Sequence, residues 1–231
     1  LYPPVEKDGV YLYNYGCASE LQGSTPWTTP PTVGTICHEF SHVLGLDDNY
    51  DTDYGTNGQS TTSDEWDVMS SGNYNNGGKT PPLWSSFQRS SQGFLDLIEL
   101  NPATLNGVGN KTLPPLYSSN VAYKLTYSST EFFLLENRQQ KGWDRFIPGH
   151  GMLITHIDKS VPGWNSNCVN CDPSWLGINL VEANASTPLI RASNPFPGTS
   201  NVTSFTDSTN PSSLLNDGSQ LNKPLERIKE N

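Results

Sequence analysis

His38-Glu39-Phe40-Ser41-His42-Val43-Leu44-Gly45-Leu46-Asp47-Asp48 is the stretch from which the rest of the chain is read. Just upstream, Thr32 is placed to cap a helix, and Val33, Ile36, Phe40, Val43 and Leu44 recur at helical spacing. At about 100° per residue those five share one face, with His38 and His42 nearly opposite. Gly45 supplies a C-terminal stop and, by accepting positive φ, lets the chain leave the helix sharply. Histidines at i and i+4 on one face can both aim imidazole nitrogen at a single ion. Glu39 lies beside them around the helix, where its carboxylate can touch a water at the ion instead of the ion. Asp48, ten residues after His38, can come back to the same point after the turn, and carboxylate oxygen is an accepted zinc ligand. Asp47 is the competing candidate for that third position.

Charge gathers around this stretch. Residues 1–80 hold eleven Asp and Glu against Lys7 and Lys79, a balance of −9, whereas the remaining 151 residues come to −1. Seven of the acids fall between Asp47 and Asp67 with no Lys or Arg among them. Such crowding repels itself unless cations or solvent relieve it, which points to metal. Asp51 and Asp53, with Asn49 and Asn57, are therefore candidate Ca2+ ligands, since hard cations take several oxygens from one loop. The EF-hand pattern is not met, because Gly is not at its sixth position and no Glu closes the loop. The plain alternative is a solvated acidic loop.

Further out, residues 1–31 are turn-rich and aromatic, ending in Thr29-Pro30-Pro31, and 47–80 is a long polar loop in which Trp66, Val68 and Met69 predict order. A second helix is expected from Leu83 to Leu100. Beyond residue 100 the period becomes two: Val121–Tyr127 alternates, Glu131–Glu136 follows as its hairpin partner, and Met152–Asp158 and Ile178–Ala183 read as further strands. Ala185 to Asn216 is rich in Ser, Asn, Pro and Thr with little periodicity. The expected class is α+β, with residues 1–100 as a helical, loop-rich core and 101–231 as a β-rich part packed on it.

Twenty Gly and 18 Pro in 231 residues argue against a helical bundle, and 24 aromatic residues argue against disorder. A net charge of −10 makes nucleic acid an improbable partner by electrostatics, and no apolar run approaches the ~18 residues of a membrane span. Four Cys are too few for a disulfide scaffold. Cys168 and Cys171 form a C-x-x-C open to three readings: a tight disulfide, half a zinc site or a redox pair. With no second Cys/His pair at zinc spacing, a disulfide or plain thiols is the expectation. Cys37 is expected as a buried thiol, and His150 and His156 as ordinary structural histidines, not ligands alongside Asp158.

The extended H-E-x-x-H-x-x-G-x-x-D form resembles the metzincin metallopeptidases, and in particular the immune inhibitor A family of secreted bacterial peptidases. Trp66-Asp67-Val68-Met69-Ser70-Ser71-Gly72 looks like that family's Met-turn. Phe133–Arg138, Gly142–Arg145, Pro148–Asp158 and Phe205–Asp207 look like its downstream pattern. The resemblance implies His38, His42 and Asp48 as Zn2+ ligands, Glu39 as catalytic base and Met69 as the floor of the site. Where the family commonly has Pro before the acidic ligand, this chain has Asp47. Tyr74, five residues after Met69, is a candidate transition-state stabiliser because metzincins often place a Tyr beyond this turn; the other reading is a packing or rim aromatic.

The activity so implied is hydrolysis of peptide bonds in proteins by a secreted zinc endopeptidase, with protein or peptide substrates. A non-catalytic extracellular binding module and a zinc hydrolase of non-peptide amides are the alternatives. An extracellular location follows only from the resemblance. The chain begins at Leu1 with no basic-then-apolar leader, and 37 residues before His38 are few for the sheet that precedes the zinc helix in metzincins. The expectation is part of a longer precursor, with its own N-terminal segment or propeptide as a further partner.

Overall fold

The structure, a computed structural model, describes residues 5–12, 15–21, 29–60, 62–101, 109–184 and 191–230. The stretches 1–4, 13–14, 22–28 and 185–190, which carry part of the turn-rich and irregular expectations, lie outside that set. Near the start, β1 (Val5–Lys7) and β2 (Val10–Leu12) pair as a small antiparallel ribbon. The helix of the His motif, α1, spans Val33–Val43, and α2 spans Ser86–Ser91. Then come β3 (Ile98–Glu99), α3 (Leu116–Ser119), β4 (Tyr123–Thr126), β5 (Glu131–Arg138), β6 (Gly151–Asp158) and β7 (Ile178–Val181). The described residues are α+β, as expected.

Strands β3 to β7 form one sheet in that spatial order, parallel between β3 and β4 and antiparallel elsewhere. Register places Phe133 opposite His156 and Leu135 opposite Ile154 on one face, and Phe132 opposite Ile157 and Leu134 opposite Thr155 on the other. Both faces are covered. Phe133, Leu135, Ile154 and Val181 pack with Phe196, Phe205, Leu215 and Leu221 from the C-terminal segment. On the reverse, Phe132, Leu134, Ile157 and Ile178 meet Phe87, Leu97 and Trp164, while Leu153 and Leu180 pack on Trp66. This two-sided cover explains why Phe132 to Glu136 are buried without interruption, where a sheet with one wet face would alternate.

Two expectations are corrected. The helix read over 83–100 is only six residues long. Ser85 and Gln88 form a reciprocal capping box at its start, and Gly93 at φ +73° turns the chain away. Ile98–Glu99 is then drawn to the sheet edge beside β4. The second correction concerns α1. Thr32 is its N-cap residue in backbone terms, but its hydroxyl meets Thr35 Oγ1 (3.2 Å) and not a main-chain N–H. More consequentially, the apolar stripe faces outward: Ile36 and Phe40 are 51% and 57% exposed, and Val33 and Leu44 are exposed too. The buried residues of α1 are Gly34, His38 and Ser41. Gly34 explains the orientation, because a Cβ there would stand 1.8 Å from the Asn73 carbonyl oxygen. The helix presses its small and polar side onto the 67–78 loop, where Gly34 lies on the Asn73 carbonyl and His38 meets the Val68 carbonyl.

Candidate metal centre

Helix α1 ends in a Schellman arrangement. Gly45 N–H donates to His42 O (2.9 Å) and Leu46 N–H to Ser41 O (3.1 Å), with Gly45 at φ +90°. The turn brings the Leu46 carbonyl back under the helix, where it accepts a hydrogen bond from His42 Nδ1 (2.8 Å). His38 Nδ1 likewise bonds the Val68 carbonyl (2.8 Å). With each Nδ1 occupied by a carbonyl, the ring proton of a neutral imidazole sits on that side and Nε2 is left as a lone pair. Both Nε2 atoms point at one oxygen: Asp48 Oδ1 is 3.1 Å from that of His38 and 3.3 Å from that of His42. Asp48 is 5% exposed, and its Oδ1 has no hydrogen-bond donor.

Three lone-pair donors facing one another, two of them buried and that of His42 partly exposed, are mutually repulsive unless a cation lies between them. The arrangement therefore fits a divalent ion with N and O preference, such as zinc. The electrostatics agree. Burial opposes charge on His38, but the Asp48 carboxylate and the Val68 carbonyl outweigh it and raise its pKa. His42 is raised chiefly by Asp48 against burial. Asp48 itself is held well below the usual carboxylate range, because the two histidines and Asn167 overcome its burial. Positive charge is wanted here, whoever supplies it.

The other residues singled out in the sequence distribute as follows. Asp47 is half-buried and stands outside the group of three, with its pKa raised by burial. Glu39 is partly exposed and near enough to His42 to favour that ring's charge. Met69 is fully buried with Leu46 and Val68, and its carbonyl accepts from Asn49 N–H (2.8 Å). Beneath it, Asp67 accepts from Met69 N–H (2.8 Å), Gln88 Nε2 (2.6 Å) and Asn49 Nδ2. Tyr74 closes the 3-10 turn Ser71–Tyr74 and is 67% exposed. Tyr50, which the motif reading passed over, is pushed up to about 12 by burial and by the Asp48 charge, so its phenol stays protonated beside the site.

Asp51 and Asp53 come within 4.8 Å of each other and of Cys171. That sulfur belongs to the Cys168–Cys171 disulfide, which settles the C-x-x-C. Asp51 accepts from Ser60 N–H (3.0 Å), and Asp53 Oδ1 from Gly55 N–H (3.1 Å) and Thr56 N–H (3.3 Å). Asn49 is engaged with Asp67, and Asn57 is exposed. The acids cap their own turn. His156 is buried, stacked on Phe133 and bonded to Glu131 (2.9 Å), while His150 bonds Glu230 (3.0 Å) at the surface. Cys37 is a free, half-buried thiol.

A helix presenting H-E-x-x-H, followed by a buried carboxylate returned to the two imidazoles, is the arrangement of a metallopeptidase catalytic segment. Residues 23–97 match the family described as immune inhibitor A peptidase M6, catalytic domain, so over this stretch the chain is similar to that family. It is 30% identical over 105 residues to "Putative secreted metallopeptidase" of Arthroderma benhamiae, a match covering 43% of this chain and 15% of that protein. It is 37% identical over 89 residues to "Immune inhibitor A" of Bacillus thuringiensis subsp. alesti, covering 35% of this chain and 13% of that protein. The chain thus spans a small fraction of the length of these relatives.

Proposed function

We propose that this chain carries the catalytic centre of a secreted zinc endopeptidase that hydrolyses peptide bonds in proteins. The observation that carries the reading is the convergence of His38 Nε2, His42 Nε2 and Asp48 Oδ1 on one buried point. These three would hold the ion; the carboxylate in the group is Asp48 rather than Asp47. Zinc so held would supply Lewis acidity toward a peptide carbonyl and lower the pKa of an attacking water. Glu39, one step around the helix from His38, would take a proton from the attacking water on its carboxylate and pass it to the leaving amine nitrogen. The Val68 and Leu46 carbonyls fix the ring tautomers, and the 66–72 turn with buried Met69 acts as the Met-turn floor. Tyr74, exposed just beyond this turn, is the side chain we assign to stabilising the developing oxyanion. Residues 1–100 supply this chemistry and 101–231 support it. Secretion is supported by the name of one relative. Nothing in the 51–60 turn beyond two self-capping acids speaks for calcium.

The test pairs casein hydrolysis by the zinc-loaded chain with that by Glu39→Gln, zinc content being measured in both. Expected is retained zinc in the variant with hydrolysis lowered by about 10²-fold or more. Equal turnover by both proteins would remove Glu39 from the role of base. Turnover of small amides but not of casein would move the activity to the non-peptide alternative.

A further inference from the structure

Asp48 owes its setting to a segment far along the chain. Its main-chain N–H donates to Asn167 Oδ1 (2.7 Å) and its Oδ2 accepts from Asn167 Nδ2 (2.8 Å), across 119 residues. One amide thus grips both the backbone and the carboxylate of Asp48, leaving only Oδ1 to face the histidines. Asn167 sits at φ +53°, a left-handed conformation that Asn tolerates, and its carbonyl accepts from Thr52 Oγ1 (2.7 Å). The next residue, Cys168, opens the disulfide loop to Cys171. Inside that loop the buried Asn170 donates to Asn49 O (3.0 Å) and Ile178 O (2.8 Å) and accepts from Ile178 N–H (3.0 Å). The segment after Asp48 is therefore tied, through a covalent loop, to the start of β7.

We propose that Asn167 is a positioning residue for the metal centre, and that the Cys168–Cys171 loop exists to present it. The inference rests on the metal-site reading above. The chemistry asks for a donor and an acceptor on adjacent atoms, at a position with positive φ. Asn meets all three demands, whereas Asp would set a second negative charge against Asp48. By holding Oδ2, the amide fixes the plane of the carboxylate and keeps Oδ1 turned to the two imidazoles, where it would hold the ion. Hydrogen-bond partners of metal-ligating carboxylates commonly govern affinity in this way.

The experiment is a zinc titration of the metal-free chain against a chromophoric chelator, well below the unfolding midpoint of every variant, so that a merely structural tie leaves affinity unmoved. Asn167→Gly keeps the backbone conformation and removes the amide; Asn167→Asp keeps the acceptor and reverses the donor. Both are expected to bind zinc at least about tenfold more weakly than the parent, Asp more weakly than Gly. Replacing both cysteines, C168S with C171S, is expected to weaken binding in the parent but to add less than about twofold to Asn167→Gly, because the loop acts through the amide. His38→Ala is the site control. If it abolishes binding while Asn167→Gly binds as the parent does, the positioning role is overturned and the metal site stands. If His38→Ala binds as the parent does, the metal site and the positioning role fall together.

Discussion

Gly34 and Gly45 bracket the histidines of α1 and meet different physical demands. Gly45 stands at φ +90° with nothing within 4 Å of the place a Cβ would take, so its requirement is conformational. Gly34 lies inside the helix, where the demand is space, the Asn73 carbonyl occupying the place of a side chain. Gly45→Ala should therefore cost about 1–2 kcal/mol, the ordinary penalty of a left-handed L-residue. Gly34→Ala should cost about 3 kcal/mol, at the upper end of overpacking, since backbone must move and not a flexible side chain. Urea midpoints of the two variants give the ordering directly. The motif announced Gly45 through its offset from the histidines. Gly34 carries no such mark, because its partner is a carbonyl 39 positions later whose approach depends on the fold of the intervening loop.

At the level of elements, a buried ionic cluster ties the sheet to the loops around the site. Arg138, at the end of β5, is 1% exposed and makes a two-pronged contact with Asp144 (2.7 and 2.9 Å) and one bond to Glu136 (3.0 Å). The carboxylates reach onward, Asp144 accepting from Leu83 N–H (2.9 Å) and Glu136 from Ser86 N–H, so the entry to α2 hangs from the sheet. Burial disfavours the guanidinium charge, but Asp144 and Glu136 more than offset it and raise its pKa, keeping the group charged. Arg138→Met strands two buried carboxylates and should lower stability by about 3–5 kcal/mol. Arg138→Lys should recover little, because an ammonium cannot reproduce the planar fork. Chemical denaturation of the two variants tests both statements. Of these residues, Arg138 and Asp144 lie in stretches that the sequence marked by resemblance, and Glu136 in a strand it marked by pattern; nothing in either signal tells that the three pair. Alternation located β4, the short gap after it located β5 as a hairpin partner, β6 and β7 also fall where strands were read, and helical spacing located α1. Periodicity gave no sign of which side of α1 is buried, since an amphipathic wheel assumes the apolar side is inside, and here the polar side is held by the carbonyls of Val68 and Leu46. For 83–100, apolar spacing suggested a long helix that Gly93 and the free edge of β4 cut short.

Across the whole molecule, the reach of the sequence reading ends where distant segments meet. His38, Glu39, His42 and Asp48 were visible as a spacing because one helix and one turn bring the two imidazoles and the Asp48 carboxylate together. Asn167 and Asn170 were invisible, because an isolated Asn beside a C-x-x-C has no periodicity and its partners lie over a hundred residues away. The same holds at the C-terminal end of β6, where Asp158 gathers the sheet, the 160–175 loop and the C-terminal segment. It accepts from Ser160 N–H (2.9 Å) and Oγ, Trp175 Nε1 (2.8 Å) and Asn216 Nδ2 (2.8 Å). Burial raises its pKa, but these donors prevail and hold the carboxyl below its ordinary value. A carboxylate with a depressed folded-state pKa stabilises the fold above its unfolded-state value of about 3.9. That contribution is lost as pH falls through the lower, folded value. Asp158→Asn keeps the shape but turns an amide toward donors that need an acceptor, and should cost about 1–3 kcal/mol at pH 7. The difference from the parent should narrow steadily below about pH 4, where the parent loses its charge and the variant has none to lose. Urea midpoints at pH 7, 5, 4 and 3, taken with a chelator so that metal release does not enter the acid limb, measure it. A gap as wide at pH 3 as at pH 7 would mean that the Asp158 hydrogen bonds hold the three segments together without regard to its charge.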